Sequence, residues 1–89
     1  MKVKLELFGA SREFSNKDYL EFNFKKKITI KDFKKKIINY VKVNFKGNEG
    51  FKKIVENSAF CSEDNNIINE NYKITKDQKI AIIPPIGGG

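Results

Sequence analysis

The sequence predicts an α+β fold in which a mixed β-sheet packs on one main helix. Near the start of the chain, two segments alternate apolar and polar residues, which is the pattern of strands with one buried face. A segment with helical spacing follows, and an apolar, strand-like segment lies near the C-terminus. One helix that covers one face of a sheet is an economical way to bury both elements.

The first two strands are predicted to form an opening hairpin. Apolar side chains occupy every second position of residues 3–7, and Gly9 then ends the alternation. A loop rich in polar residues, Ser11 among them, leads to residues 20–24, where the alternation resumes. Two alternating segments with a polar connector are typical of a hairpin.

The main helix is predicted from residue 30 to residue 44. Thr29 is a favourable N-cap, and Asp32 follows three residues later, where a carboxylate favours the first helical turn. Apolar residues then recur at helical spacing as far as Phe45. The same spacing predicts four lysines on the solvent side: Lys31, Lys34, Lys35 and Lys42.

The last third of the chain gives a weaker pattern. Residues 51–55 fit either a helical turn or a strand, and residues 58–62 fit a strand that turns at residues 63–66 into Ile67 and Ile68. Residues 79–83 form an apolar run with few polar breaks, which predicts a strand buried on both faces in the middle of the sheet.

If this last strand lies beside the first and parallel to it, the arrangement is the β-grasp, the ubiquitin-like roll. We therefore predict one β-grasp domain over residues 1–83 and an extended tail over residues 84–89. No repeat or low-complexity segment indicates a larger architecture.

Composition excludes several classes of enzyme. The chain has 89 residues and 39% hydrophobic content, enough for one core. It has no histidine and one cysteine, Cys61, so histidine-based catalysis, zinc sites and disulfide frameworks lack their side chains. Cys61 stands in an apolar stretch and is predicted to be buried and unreactive. We expect no bound metal or cofactor.

The net charge of +7 raises nucleic acid and anionic membranes as partners. The lysines are densest at residues 25–27 and 34–36, but lysine, asparagine and isoleucine together supply 39 of the 89 residues, as A/T-rich coding would produce. No RNA-binding aromatic motif accompanies the lysines. We expect a solvated basic surface with neither partner. Because no apolar run could span a bilayer, we also expect a cytoplasmic location.

The ending "IAIIPPIGGG" is predicted to present a reactive C-terminus. Pro84 and Pro85 stop the last strand, and glycines without a Cβ can enter a narrow channel. The unhindered carboxylate of Gly89 can react once it is activated, for example as an acyl-adenylate. Three terminal glycines could also be a disordered tail without function. The proline stop directly after a buried strand favours a C-terminus that reacts.

Taken together, the motifs resemble the small subunit of molybdopterin synthase, a ubiquitin-like sulfur carrier, along the whole chain. The opening "KLELFGASREF" is similar to that family's first strand and following loop, and "ITIKDFKKKI" to its strand-to-helix junction. The end "KITKDQKIAIIPPIGGG" is similar to its hydrophobe-Pro-Pro-x-x-Gly-Gly terminus. In that alignment Ile83 takes the hydrophobic position, Ile86-Gly87 the variable pair and Gly88-Gly89 the final pair, so the chain would need no trimming.

The resemblance implies a sulfur-transfer cycle. An ATP-dependent adenylyltransferase similar to ubiquitin-activating enzymes would adenylate Gly89, and sulfur delivery would give a thiocarboxylate. The large synthase subunit would then accept the tail and use the sulfur to build the dithiolene of molybdopterin. The chain would be a non-catalytic sulfur-donor subunit, in a heterotetramer of two large and two small subunits.

The resemblance and the apolar end of the chain also indicate partner contacts. The residues expected to make them are Phe8, Arg12, Ile83, Pro84, Pro85, Ile86, Gly87 and Gly88. For Arg12 and its neighbour Glu13, a solvent-facing ion pair is an equal alternative.

Other functions remain open at this stage. A carrier of the same fold could supply sulfur for thiamine or tRNA thiolation, or act as a protein modifier joined to lysines through Gly89. The Pro84-Pro85 pair favours the molybdenum branch. A basic nucleic-acid-binding module would instead use the lysine clusters and ignore the tail.

Overall fold

The computed structural model describes residues 1–86, which form seven strands and two α-helices. In chain order the elements are β1 (Lys2–Leu7), a 3₁₀ helix (Gly9–Phe14), β2 (Tyr19–Asn23), β3 (Ile28–Thr29), α1 (Ile30–Asn44), α2 (Glu49–Asn57), β4 (Ala59–Cys61), β5 (Ile67–Ile68), β6 (Lys73–Ile74) and β7 (Gln78–Ile83).

Five strands form the main sheet in the order β2-β1-β7-β4-β5, while β3 and β6 pair separately. Strand β1 is antiparallel to β2 and parallel to β7, with Leu5 opposite Leu20 on one side and Ile80 on the other. Strand β7 is antiparallel to β4. The predicted hairpin and the predicted parallel pairing of the first and last strands are both confirmed.

Helix α1 has the predicted boundaries and cap. The Thr29 hydroxyl accepts a hydrogen bond from the Asp32 backbone N–H at 3.2 Å, which satisfies one free donor of the first turn. Phe33, Ile37 and Val41 lie one or two turns apart and are fully buried against the sheet. This face of α1 forms the helix side of the core.

The solvent-side prediction for the α1 lysines is wrong for Lys34. Its side chain is only 18% exposed, its Nζ lies 3.5 Å from Glu70 Oε1, and it sits 5.7 Å from the centre of the Phe60 ring. Long lysine side chains can cover apolar surface and keep the ammonium near a carboxylate. Lys31, Lys35 and Lys42 are exposed as predicted.

The core lies between α1 and one face of the main sheet. Ile80 and Ile82 of β7 are fully buried there, whereas Lys79 is exposed and Ile83 is 37% exposed on the opposite face. The predicted central position of the last strand is confirmed, but the predicted burial on both faces is wrong. The reason is that α1 covers one face of the sheet and no other element of residues 1–86 is layered on the other.

Residues 46–60 contain the second helix, so the helical alternative for residues 51–55 is correct. The Asn48 side chain accepts a hydrogen bond from the Phe51 N–H at 3.1 Å and begins α2. The Phe51 ring packs on Phe45 and Phe14, with ring centres 4.9 and 5.1 Å apart. These aromatic contacts fix α2 against α1 and the 3₁₀ helix. Strands β4 and β5 follow as predicted.

The connector between β1 and β2 is more ordered than a polar loop. Its first part is a 3₁₀ helix in which Ser11 and Phe14 are fully buried. The Tyr40 hydroxyl of α1 donates a hydrogen bond to the Phe14 carbonyl at 3.0 Å. The connector is therefore anchored to the core, and it lies beside the end of β7.

Candidate functional site

The central strand β7 leads the chain out of the domain. Ile82 is fully buried between β1 and β4, and Pro84, two residues later, is also buried. Pro85 and Ile86 are then exposed, and Ile86 is 99% exposed. The packed part of the chain thus extends through Pro84, and the exposed segment begins at Pro85.

Pro84 lies beside Gly9 at the start of the 3₁₀ helix. A Cβ placed on Gly9 would lie 3.7 Å from Cδ and 3.8 Å from Cγ of Pro84, which is ordinary van der Waals contact. Gly9 has a φ of +55°, a conformation that costs little only for glycine. Pro84 lacks the N–H of a ladder residue and has a fixed φ, so the chain leaves the sheet at this residue.

This position changes the expected role of Pro84. It was predicted to contact a partner, but its ring is buried against its own chain. We therefore interpret Pro84 as the anchor of the tail, while Pro85 and Ile86 are the accessible members of the predicted contact set.

Ser11 forms two hydrogen bonds with the backbone of Phe8, a role that no sequence pattern considered above predicts. The buried Ser11 hydroxyl donates a hydrogen bond to the Phe8 carbonyl at 2.7 Å and accepts one from the Phe8 N–H at 3.1 Å. The three-residue spacing, which resembles that of a capping box, was the available signal. The two bonds fix the backbone of Phe8, whose ring remains 46% exposed beside the end of β7.

Apolar residues continue from this point along the same face of the sheet, which also carries the charged Glu6 and Lys79. Ile83 lies opposite Ala59, and the next pair on the same face joins Ala81 to Cys61. Apolar side chains clustered on one surface are typical of an interaction site. We define the open face by the residues Phe8, Ala59, Ile67, Ala81 and Ile83, of which Ile67 is 77% exposed.

Cys61 differs from its prediction. It is a free thiol and only partly buried, because it projects from β4 onto the open face opposite Ala81. Its predicted lack of reactivity remains a prediction.

Arg12 is exposed on the 3₁₀ helix. Within residues 1–86 the sole carboxylate–cation pair within 4 Å joins Lys34 and Glu70, so Arg12 and Glu13 do not form the ion pair that was one alternative. Partner contact by Arg12 remains a prediction. The predicted reacting end, Gly87, Gly88 and Gly89, lies outside the described residues.

Two further kinds of feature are not found among residues 1–86. In residues 1–86 no three His, Cys, Asp or Glu side chains are grouped to hold a metal ion. None of the helices in this part is both long and apolar enough to cross a membrane.

Comparison with known proteins adds evidence on the fold. No protein-family model matches the chain, and no curated protein matches it in sequence. The structure of SAMP1 from Haloferax volcanii is similar, with a TM-score of 0.69, 12% sequence identity and 100% coverage of both chains. A Pyrococcus furiosus protein provisionally named molybdopterin converting factor, subunit 1, also has a TM-score of 0.69, at 17% identity over 96% of this chain and 98% of its own.

The chain has the β-grasp fold. Both neighbours match it over nearly their whole lengths, and the sheet order and single main helix agree with the prediction from sequence. Identities this low support the fold alone, so any function has to be argued from the site.

Proposed function

We propose that this chain is a sulfur carrier and the small subunit of a molybdopterin synthase, with sulfur held as a thiocarboxylate on Gly89. The observation that carries the proposal is the exit of the chain from β7. A buried Pro84 anchors it, and Pro85 and Ile86 leave the domain beside an apolar open face. The shared fold with a protein named molybdopterin converting factor, subunit 1, supports the same assignment.

The tail begins at a buried proline, Pro84, and ends in residues without side chains. From Pro85 to Gly89 it can reach at most about 16–18 Å, at 3.3–3.6 Å per residue. Its last three residues are glycines, which bring no side chain into a partner's channel. A partner can therefore accept the tail deeply while it docks on the domain.

The proposed chemistry takes place at the terminal carboxyl group. A carboxylate oxygen attacks the α-phosphorus of ATP, pyrophosphate leaves, and an acyl-adenylate forms. A sulfide-level donor supplied by a partner then adds to the carbonyl carbon and displaces AMP, which leaves the thiocarboxylate. Its sulfur displaces an oxygen substituent from a carbon of the pterin precursor and forms a thioester, whose hydrolysis leaves a thiol on the pterin and returns the carboxylate. Two such transfers supply the two sulfur atoms of the dithiolene.

The partners supply the catalytic groups in this proposal. The chain has no histidine, and the described residues around the exit, Phe8, Ile83 and Ile86, are apolar. An adenylyltransferase and the large synthase subunit would each bury these side chains while holding the tail. ATP is bound by the adenylyltransferase, and we propose a cytoplasmic assembly of two large and two small subunits.

Intact-mass analysis tests the carrier chemistry. The chain is incubated with a cognate adenylyltransferase, ATP and a sulfur donor, and we expect the mass to rise by the replacement of one oxygen with sulfur. A variant lacking Gly88 and Gly89 should fold normally and show no change. The positive control is a known carrier that the same enzyme converts to its thiocarboxylate. If that carrier gains sulfur and the wild-type chain does not, the proposal is refuted.

A second assay tests the pathway. The thiocarboxylate form is mixed with a molybdopterin synthase large subunit and the pterin precursor, and we expect dithiolene formation. A known small subunit serves as the positive control for dithiolene formation. If it supports dithiolene formation and the thiocarboxylate form of this chain does not, the chain belongs to another sulfur pathway.

A further inference from the structure

The outer edge of β2 has unused backbone hydrogen-bonding groups. Strand β2 is first in the sheet and pairs on one side only, with β1. Met1 and Phe24 exchange backbone hydrogen bonds. In an antiparallel ladder every second residue forms such a pair, so the backbone N–H and C=O of Phe22 also point toward β1. The N–H and C=O groups of Glu21 and Asn23 therefore point away from the sheet.

A cleft lies along this edge, between β2 and α1. Its volume is about 360 Å³, and its apolar lining comes from Phe22, Phe24, Tyr40 and Val43. Val43 is 72% exposed, which is unusual for a valine on an amphipathic helix. No residue of β1 lines the cleft, so it opens outward, next to the free edge of β2.

One lysine lines the cleft, and three others lie close to its lining residues in the sequence. Lys36 is part of its lining, Lys35 is exposed beside it on α1, and Lys25 and Lys26 follow Phe24 directly in the chain. No carboxylate lines the cleft. None of these four lysines pairs with a carboxylate within 4 Å in residues 1–86. The cleft thus combines apolar rings with a lysine and no acidic side chain.

We propose that the β2 edge and this cleft bind an extended peptide segment of a protein partner, with apolar residues next to acidic ones. The peptide adds a strand to β2 through the outward groups of Glu21 and Asn23. Its apolar side chains fill the cleft over Tyr40 and Val43, and its carboxylates meet the lysines. Strand β1 separates this edge from β7, so the inference does not depend on the function of the tail.

The aromatic geometry favours a peptide over a single-stranded nucleic acid. Stacking of bases needs free ring faces. Here Phe22 and Phe24 make edge-to-face contacts with Phe33 at 5.4 and 5.7 Å and are half-buried, as is Tyr40, so only part of each ring is open to a base. A second copy of the chain is also disfavoured, because each copy carries a net charge of +7.

Selection from a random peptide display library tests the proposal on the full chain. The library is panned against the wild type and counter-selected on a double variant, Val43→Asp with Lys36→Glu. Both positions are exposed, so the variant should fold, which circular dichroism checks. We expect enriched peptides that alternate apolar residues and continue into aspartate or glutamate.

The control is Lys53→Glu, the same lysine-to-glutamate change at an exposed position on α2; it lowers the net charge by two, against three for the double variant. An enriched peptide should lose at least roughly tenfold in affinity to the double variant and little to the control. Its binding should shift the amide NMR signals of Glu21 and Asn23. The proposal is overturned if no sequence is enriched, if the double variant binds equally well, or if an oligothymidylate competes at lower concentration than the peptide.

Discussion

Two adjacent isoleucines at the end of β7 test whether the sheet is buried on one face only. Ile82 is fully buried between the sheet and α1, whereas Ile83 projects to the open face and is 37% exposed. We replace each by alanine in turn. The two changes remove the same atoms from neighbouring positions of one strand, so strand propensity affects both variants similarly.

The expected costs follow from burial. Truncation of a fully buried isoleucine loses its transfer free energy and leaves a cavity, about 2–5 kcal/mol in all. At Ile83 part of the side chain is already in water and solvent fills the space, so we expect about 1 kcal/mol. Since small domains are stable by about 5–15 kcal/mol, both variants should still fold.

Urea unfolding followed by circular dichroism measures the difference in free energy of unfolding. We expect the Ile82→Ala variant to be less stable than Ile83→Ala by at least about 1 kcal/mol. Equal losses would show that both faces of β7 are covered, and the one-sided core would be wrong. Under the proposed function Ile83→Ala should also weaken binding to the large subunit, since the open face is then part of that interface.

Three further substitutions test local features. Gly9→Ala should cost about 1–2 kcal/mol, because a φ of +55° strains alanine although the space beside Pro84 is sufficient; thermal unfolding should begin several degrees lower, and an unchanged midpoint would contradict this. Ser11→Ala should cost about 1–3 kcal/mol, since the Phe8 N–H loses its buried acceptor; urea unfolding measures it, with Ser15→Ala at a less buried site as the comparison. Thr29→Ala should cost about 1 kcal/mol through loss of the α1 cap, whereas Thr29→Ser should retain most of it; equal stability of the two variants would argue against the cap.

Local patterns were sufficient for several elements. The cap at Thr29 and the helical spacing that follows both act within a few residues, so the boundaries of α1 could be predicted. The central place of β7 followed from its apolar run. Residues 46–60 were harder, because α2 is short and depends on the packing of Phe51 against two aromatic rings from other elements.

The sequence by itself determined the main helix, the opening hairpin and the proline stop before three glycines. Only the tertiary structure decided that the last strand lies parallel to the first, that Ile83 faces outward and that Lys36 borders a cleft next to the free edge of β2. The physical reason is the separation along the chain over which each interaction acts. Capping and periodicity act between residues close in the chain, whereas burial depends on which distant segments pack together, and here α1 covers one face of the sheet and leaves the other for a partner under the proposed function.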